Sequence, residues 1–185
     1  MRLVTIQPYA VLEILQSRGR FVCDISKSNM FDCADDFSFI EAYDWLVQEM
    51  VKRIGRPPVG VKYPIWAWYR DGGEDFTDWG EEGKKYAKIT VDIDPARVVL
   101  SEIDDWQLVL GHDPLLTDEE AESEEYDTYW ERYVASGEEA VRATWLRMFR
   151  EDGEFLQATF WELYLSDIVD VEVFVSRHID DDELD

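Results

Sequence analysis

Between Tyr86 and Asp94 the chain alternates with a period of two. Ala87, Ile89, Val91 and Ile93 are apolar, while Lys88, Thr90, Asp92 and Asp94 are polar or charged. Successive side chains of a strand point to opposite faces, so this run predicts a strand buried on one side and wet on the other. Such a strand needs sheet neighbours and an apolar layer over one face. A second period supplies that layer. Ile40, Tyr43, Val47, Met50 and Ile54 recur at spacings of three and four, one face of a helix over 39–54. Ser38 and Glu41 have capping-box spacing, Lys52 and Arg53 suit the last turn, and Gly55, Pro57 and Pro58 end the run.

The rest of the chain mixes strand and helix signals. Leu3–Ile6 reads as a strand, and a helix from Pro8 to Gly19 carries Val11, Leu12 and Leu15 on one side. Phe21–Cys23, Tyr63–Arg70 and Val98–Leu100 read as further strands, with a polar loop after Cys23 and another over 71–83. Ser101 is expected to cap a short helix through Leu110. Capping-box spacings at Thr117/Glu120 and Ser136/Glu139 predict two more helices, with aromatic stripes at Tyr126, Tyr129, Trp130 and Tyr133 and at Val141, Trp145, Met148 and Phe149. Phe155–Leu165 is apolar on both faces, as a central strand is, and Val169–Val175 is its expected partner strand. The order is not a strict strand–helix alternation. The expectation is one α+β domain over residues 1–179, a mixed, mostly antiparallel sheet flanked by helices, then an acidic tail over 180–185.

Charge narrows the partners. The formal net charge is −24 in 185 residues, against 46% hydrophobic residues, so the chain has the material for a core. Eight acids crowd residues 118–131 at Asp118, Glu119, Glu120, Glu122, Glu124, Glu125, Asp127 and Glu131; five more fill the tail. Direct nucleic-acid binding and anionic membrane surfaces are both disfavoured by this balance. The acidic stretch is expected to be a solvated face or a contact for a basic protein surface, with imitation of a nucleic acid as an alternative. The opening eight residues have no apolar core of a signal segment, and two cysteines form no disulfide framework, so a cytoplasmic protein is expected.

No phosphate loop, dinucleotide fingerprint, H-E-x-x-H or nucleophile elbow is present, and no metal site is expected. His112, in a Gly-His-Asp-Pro turn, and His178 read as surface turn histidines. Two runs remain. In Tyr63–Arg70, period two puts Trp66, Trp68 and Arg70 on one face, where two indoles beside a guanidinium suit a planar ligand or a peptide; equally, the indoles fill the space under a helix. In Leu156–Tyr164, Glu162 is a carboxylate in an otherwise apolar strand. It is either a functional acid facing a cleft, half of an ion pair, or at a wet strand end. Trp66, Trp68, Tyr69, Arg70 and Gln157 are the expected ligand contacts and Glu162 the expected acid, in a binding module that needs no cofactor.

The strings YPIWAWY at 63–69, VLSEIDDWQLVL at 99–110 and QATFWEL at 157–163 resemble an uncharacterised bacterial family, catalogued as domain of unknown function 3841. The opening Leu3–Gln7 and the Tyr43-Asp44-Trp45 helix fit it as well. That resemblance implies no activity. A more distant one is to the ADP-ribosyltransferase fold, through the first strand and helix, an aromatic second strand and a late glutamate. It implies NAD as substrate, with Tyr69 or Trp68 stacking the nicotinamide and Glu162 holding the ribose hydroxyl. The first strand here carries no histidine, no Ser-Thr-Ser string follows it, and Glu162 is not part of an E-x-E pair.

Overall fold

The computed structural model describes residues 1–24, 37–69 and 78–177, with the side chains of residues 37 and 38 outside that description. The Ser38 cap, Arg70, Cys33, His178 and the tail therefore lie outside the described residues. Strands are β1 (Arg2–Pro8), β2 (Arg20–Val22), β3 (Ile65–Trp68), β4 (Lys85–Asp92), β5 (Val99–Glu102), β6 (Leu156–Phe160), β7 (Glu162–Tyr164) and β8 (Ile168–Val175). Helices are α1 (Tyr9–Arg18), α2 (Phe37–Ile54), α3 (Ile103–Leu110), α4 (Asp118–Ala121), α5 (Tyr126–Ala135) and α6 (Glu138–Thr144). Among the described residues six strands form one sheet in the order β5-β6-β3-β1-β4-β8, and β2 pairs with β7 in a second. The fold is α+β, as the sequence predicts, and every pairing among the described strands is antiparallel. Among the described residues no helix is long and apolar enough to cross a membrane.

Two cores lie on the two faces of the large sheet. Val99 and Trp66 contribute to one while their neighbours Leu100, Ile65 and Ala67 contribute to the other, as alternation along a strand requires. The first face buries Leu3, Ala87, Ile89, Val91, Ala158 and Phe160 beneath α1, whose Val11, Leu12 and Leu15 point into it. Gly19 ends α1 at φ 72°, a conformation open to glycine, and donates its N–H to the Leu15 carbonyl at 2.8 Å. The second face, at the β5-β6-β3 end, is covered by α2 and α3. Tyr43, Leu46 and Met50 meet Trp106, Val109 and Leu110 there, with Trp145 and Met148 behind. Val47, Ile40 and Ile54 flank this face half-buried, while Ala42 and Leu46 sit at its centre, so the buried stripe of α2 is turned slightly from the expected one.

Several expectations are corrected. Residues 155–165 are not one strand. The chain leaves β6 at Trp161, whose ring enters the helical core and whose indole N–H donates to the Gly55 carbonyl at 3.0 Å; β7 then joins the small sheet. Nor do residues 168–175 pair with β6. A 3-10 turn at Leu165–Asp167 redirects the chain, and β8 pairs with β4 at the sheet edge, leaving Val169, Val173 and Val175 exposed. Ser101 is a buried β5 residue, and Glu102 stands at the N-cap of α3. Ser136 donates to the Arg132 carbonyl, and Gly137 caps α6 instead. The Thr117/Glu120 capping box is formed as expected, with both bonds present.

Candidate functional site

The face of the large sheet under α2 and α3 gathers most of the expected ligand contacts. Register fixes the rows. Trp66 lies opposite Thr159, which lies opposite Val99; Trp68 lies opposite Gln157, which lies opposite Ser101. Directly paired residues share a face, so Trp66, Trp68, Gln157 and Ser101 project to the same side, where both tryptophans are half-buried. Tyr69 follows on the exposed strand end, with its backbone N–H bonded to the Leu156 carbonyl. Arg70 lies outside the described residues.

An aromatic cluster closes over this row. Tyr43 stands edge-on to Tyr63, Trp66 and Trp106, with centroids 5.4, 6.3 and 5.1 Å away, and Trp66 lies 5.2 Å from Trp106. Burial pushes the Tyr43 phenol well above its ordinary value, against the opposing pull of the Trp66 N–H, so Tyr43 stays neutral. The Trp66 N–H lies beside that hydroxyl without completing a hydrogen bond of good geometry. Among the described residues, three polar atoms on this face are thus buried and unbonded: the Trp66 indole nitrogen, the Gln157 amide oxygen and the Ser101 hydroxyl. That is one donor, one acceptor and one group able to be either.

A buried carboxyl lies at the end of β5. Glu102 is 4% exposed, its Oε2 has no hydrogen bond among the described residues, and a Cβ on Gly153 would collide with that oxygen. Burial raises its pKa, opposed by the Arg150 charge and the Phe155 N–H. Asp105, one turn into α3, is raised chiefly by burial too, and pairs with the Arg150 Nε at 3.3 Å.

Glu162 lies elsewhere. Its carboxylate pairs with the Arg20 Nε at 2.5 Å across the small sheet, with the two side chains 21% and 45% exposed. A hydrogen bond to Glu162, with burial adding, pushes the Tyr164 phenol above its ordinary value. Arg97 stacks 5.0 Å over the Tyr164 ring, grips the Asp167 carboxylate with both Nη atoms and donates to the Glu162 carbonyl at 2.9 Å. This lattice locks the turn between β7 and β8. The pairing that the sequence leaves open for Glu162 is therefore made by Arg20, two residues beyond α1, a partner that no periodic signal in the sequence marks. β7 belongs to the small sheet and β3 to the large one, so Glu162 is not among the groups gathered by the tryptophan face.

The acidic stretch is partly neutralised from outside. Arg132 and Arg147 bond to Glu120, and Arg150 to Asp118, while Glu119, Glu122, Glu124, Glu125, Asp127 and Glu131 are exposed. His112 does occupy a turn, at φ 59°, the one positive φ outside glycine among the described residues. It is half-buried, with its ring 5.3 Å from that of Trp145.

No curated protein and no solved structure matches the chain. A family description matches residues 2–169, most of the length, through the strands and helices that carry the Trp-rich strings and the tryptophan face. The chain belongs to the family described as Domain of unknown function (DUF3841).

Proposed function

We propose that this chain is a binding module whose ligand, a small planar molecule or a partner peptide, is met by the β5-β6-β3 face. The observation that carries this reading is the set of three polar atoms on Trp66, Gln157 and Ser101 that are buried and unbonded among the described residues, beside four clustered aromatic rings. An unbonded buried donor or acceptor costs about 1–3 kcal/mol, so three on one face need a compensating partner. A ligand with an acceptor for the indole and a donor for the amide supplies one. Aromatic walls with a few convergent polar groups are the usual chemistry of such a site. Glu162 has no part in it, being engaged by Arg20 and Tyr164.

The test is a thermal-shift screen over nucleotides, NAD, small aromatic acids and amides, and a peptide library, run with Trp66→Phe and Gln157→Leu alongside. A ligand at about 100 times its dissociation constant adds about 2.7 kcal/mol of apparent stability. The wild type should show such a shift, and each variant should lose it while its unliganded stability holds or rises. If no compound shifts the wild type, or if the shifts persist in both variants, the reading fails.

A further inference from the structure

Glu41, His112 and Glu138 lie far apart in sequence, on α2, on the turn after α3 and on α6, yet one ligand atom from each lies within 4.8 Å of the other two. We propose that these three side chains form a binding site for a borderline divalent cation of the zinc class. Two carboxylate oxygens and one imidazole nitrogen are a donor set for zinc-like ions; calcium and magnesium prefer oxygen alone.

The surroundings hold these groups as a ligand shell is held. Trp145 forms the floor. Its indole N–H donates to the Asp113 carbonyl at 2.8 Å, pinning the turn, and its ring meets the His112 ring edge-on. The turn itself is fixed by backbone bonds from His112 and Asp113 to the Val109 and Leu108 carbonyls. Arg142 acts on the carboxylates. Its Nη2 donates to one oxygen of Glu41 at 2.9 Å and to one oxygen of Glu138 at 2.5 Å. Among the described residues the second oxygen of each carboxylate carries no hydrogen bond, and that oxygen is left for a metal. A hydrogen-bonded outer group that aims ligating carboxylates is a common feature of metal centres. Glu41 and Glu138 are exposed, so the ion has an open path, and water completes its coordination. The site uses none of the atoms of the tryptophan face and stands or falls independently of it.

The experiment titrates zinc into the full chain by calorimetry, with excess magnesium present to occupy the exposed acids of residues 118–131. Cobalt, followed by its visible absorption bands, then reports nitrogen ligation directly. His112→Asn removes the imidazole and keeps a residue that tolerates a left-handed backbone; Glu138→Gln removes one carboxylate and keeps its shape. One zinc per chain is expected, with affinity falling about 10-fold or more in each variant. Should His112→Asn fail to fold, Glu138→Gln alone decides. Absence of one-to-one uptake, or uptake unchanged in the folded variants, overturns the proposal.

Discussion

Replacing Glu162 with Gln, Arg20 with Gln, and both together separates pairing from chemistry at the residue that looks most out of place in the sequence. The pair is close at 2.5 Å, but Arg20 is nearly half exposed and Glu162 one-fifth exposed. Water therefore re-solvates either group when its partner is removed. Exposed pairs contribute about 0.2–1 kcal/mol, whereas stranding one member of a sealed pair costs about 3–5 kcal/mol. The two-strand ladder and the Tyr164 hydroxyl hold the geometry, so a coupling near the top of the exposed range, about 1 kcal/mol, is expected. At this chain length that is about 2–4 °C in melting temperature. Urea unfolding of the four proteins gives the coupling directly. It should shrink in about 1 M salt, where the Debye length falls to about 3 Å. A single-variant loss above about 3 kcal/mol would show a sealed pair and refute the solvation argument. A coupling indistinguishable from zero would show that the contact contributes nothing.

Two further outcomes test the packing and the buried carboxyl. Met50→Ala empties a fully buried position facing the aromatic cluster and should cost about 2–5 kcal/mol in urea unfolding; a loss below about 1 kcal/mol would mean the helical face is misassigned. Glu102→Gln should raise the melting temperature near neutral pH. Glu102 binds its proton at higher pH folded than unfolded, so its charge costs stability at neutral pH. That cost is relieved as pH falls through the folded value, and the gap between variant and wild type should close as pH approaches the unfolded value of about 4.3. A gap that stays constant or widens toward acid would contradict the assigned shift.

Periodicity carried the reading wherever one element met one environment. The alternation of β4 and the three–four spacing of α1 survive unchanged, because each has one buried face and one wet face. It failed where a single residue changes partners. Phe160, Trp161 and Leu163 are all buried, and no local pattern separates a central strand from a strand that hands over to a second sheet. The valines of 168–175 alternate as a buried strand does, yet they lie at an edge, since pairing is decided by the Arg97–Asp167 turn across 70 residues. The tryptophan face was legible because period two fixes which side chains share a side. Ser101 has the residue type of a helix cap, and its place beside Gln157 depends on a register that no local signal states. His112 was legible as a turn residue. Its neighbours Glu41 and Glu138 come from distant helices and left no mark in the sequence around it.

The strand order has a consequence for how the chain is made. β1, synthesised before the other strands of this sheet, lies inside it between β3 and β4, and β6 fills the gap between β5 and β3 only once residues 156–160 are made. Until then the nascent chain carries an incomplete sheet whose β3 has one bare side and whose β5 has no partner. Long-range antiparallel closure of this kind is slow, and open strand sides recruit other chains. Truncations that end before Leu156 should therefore accumulate as aggregates and not as a smaller folded unit. A ribosome should hold this sheet open until β6 has been translated and has left the exit tunnel.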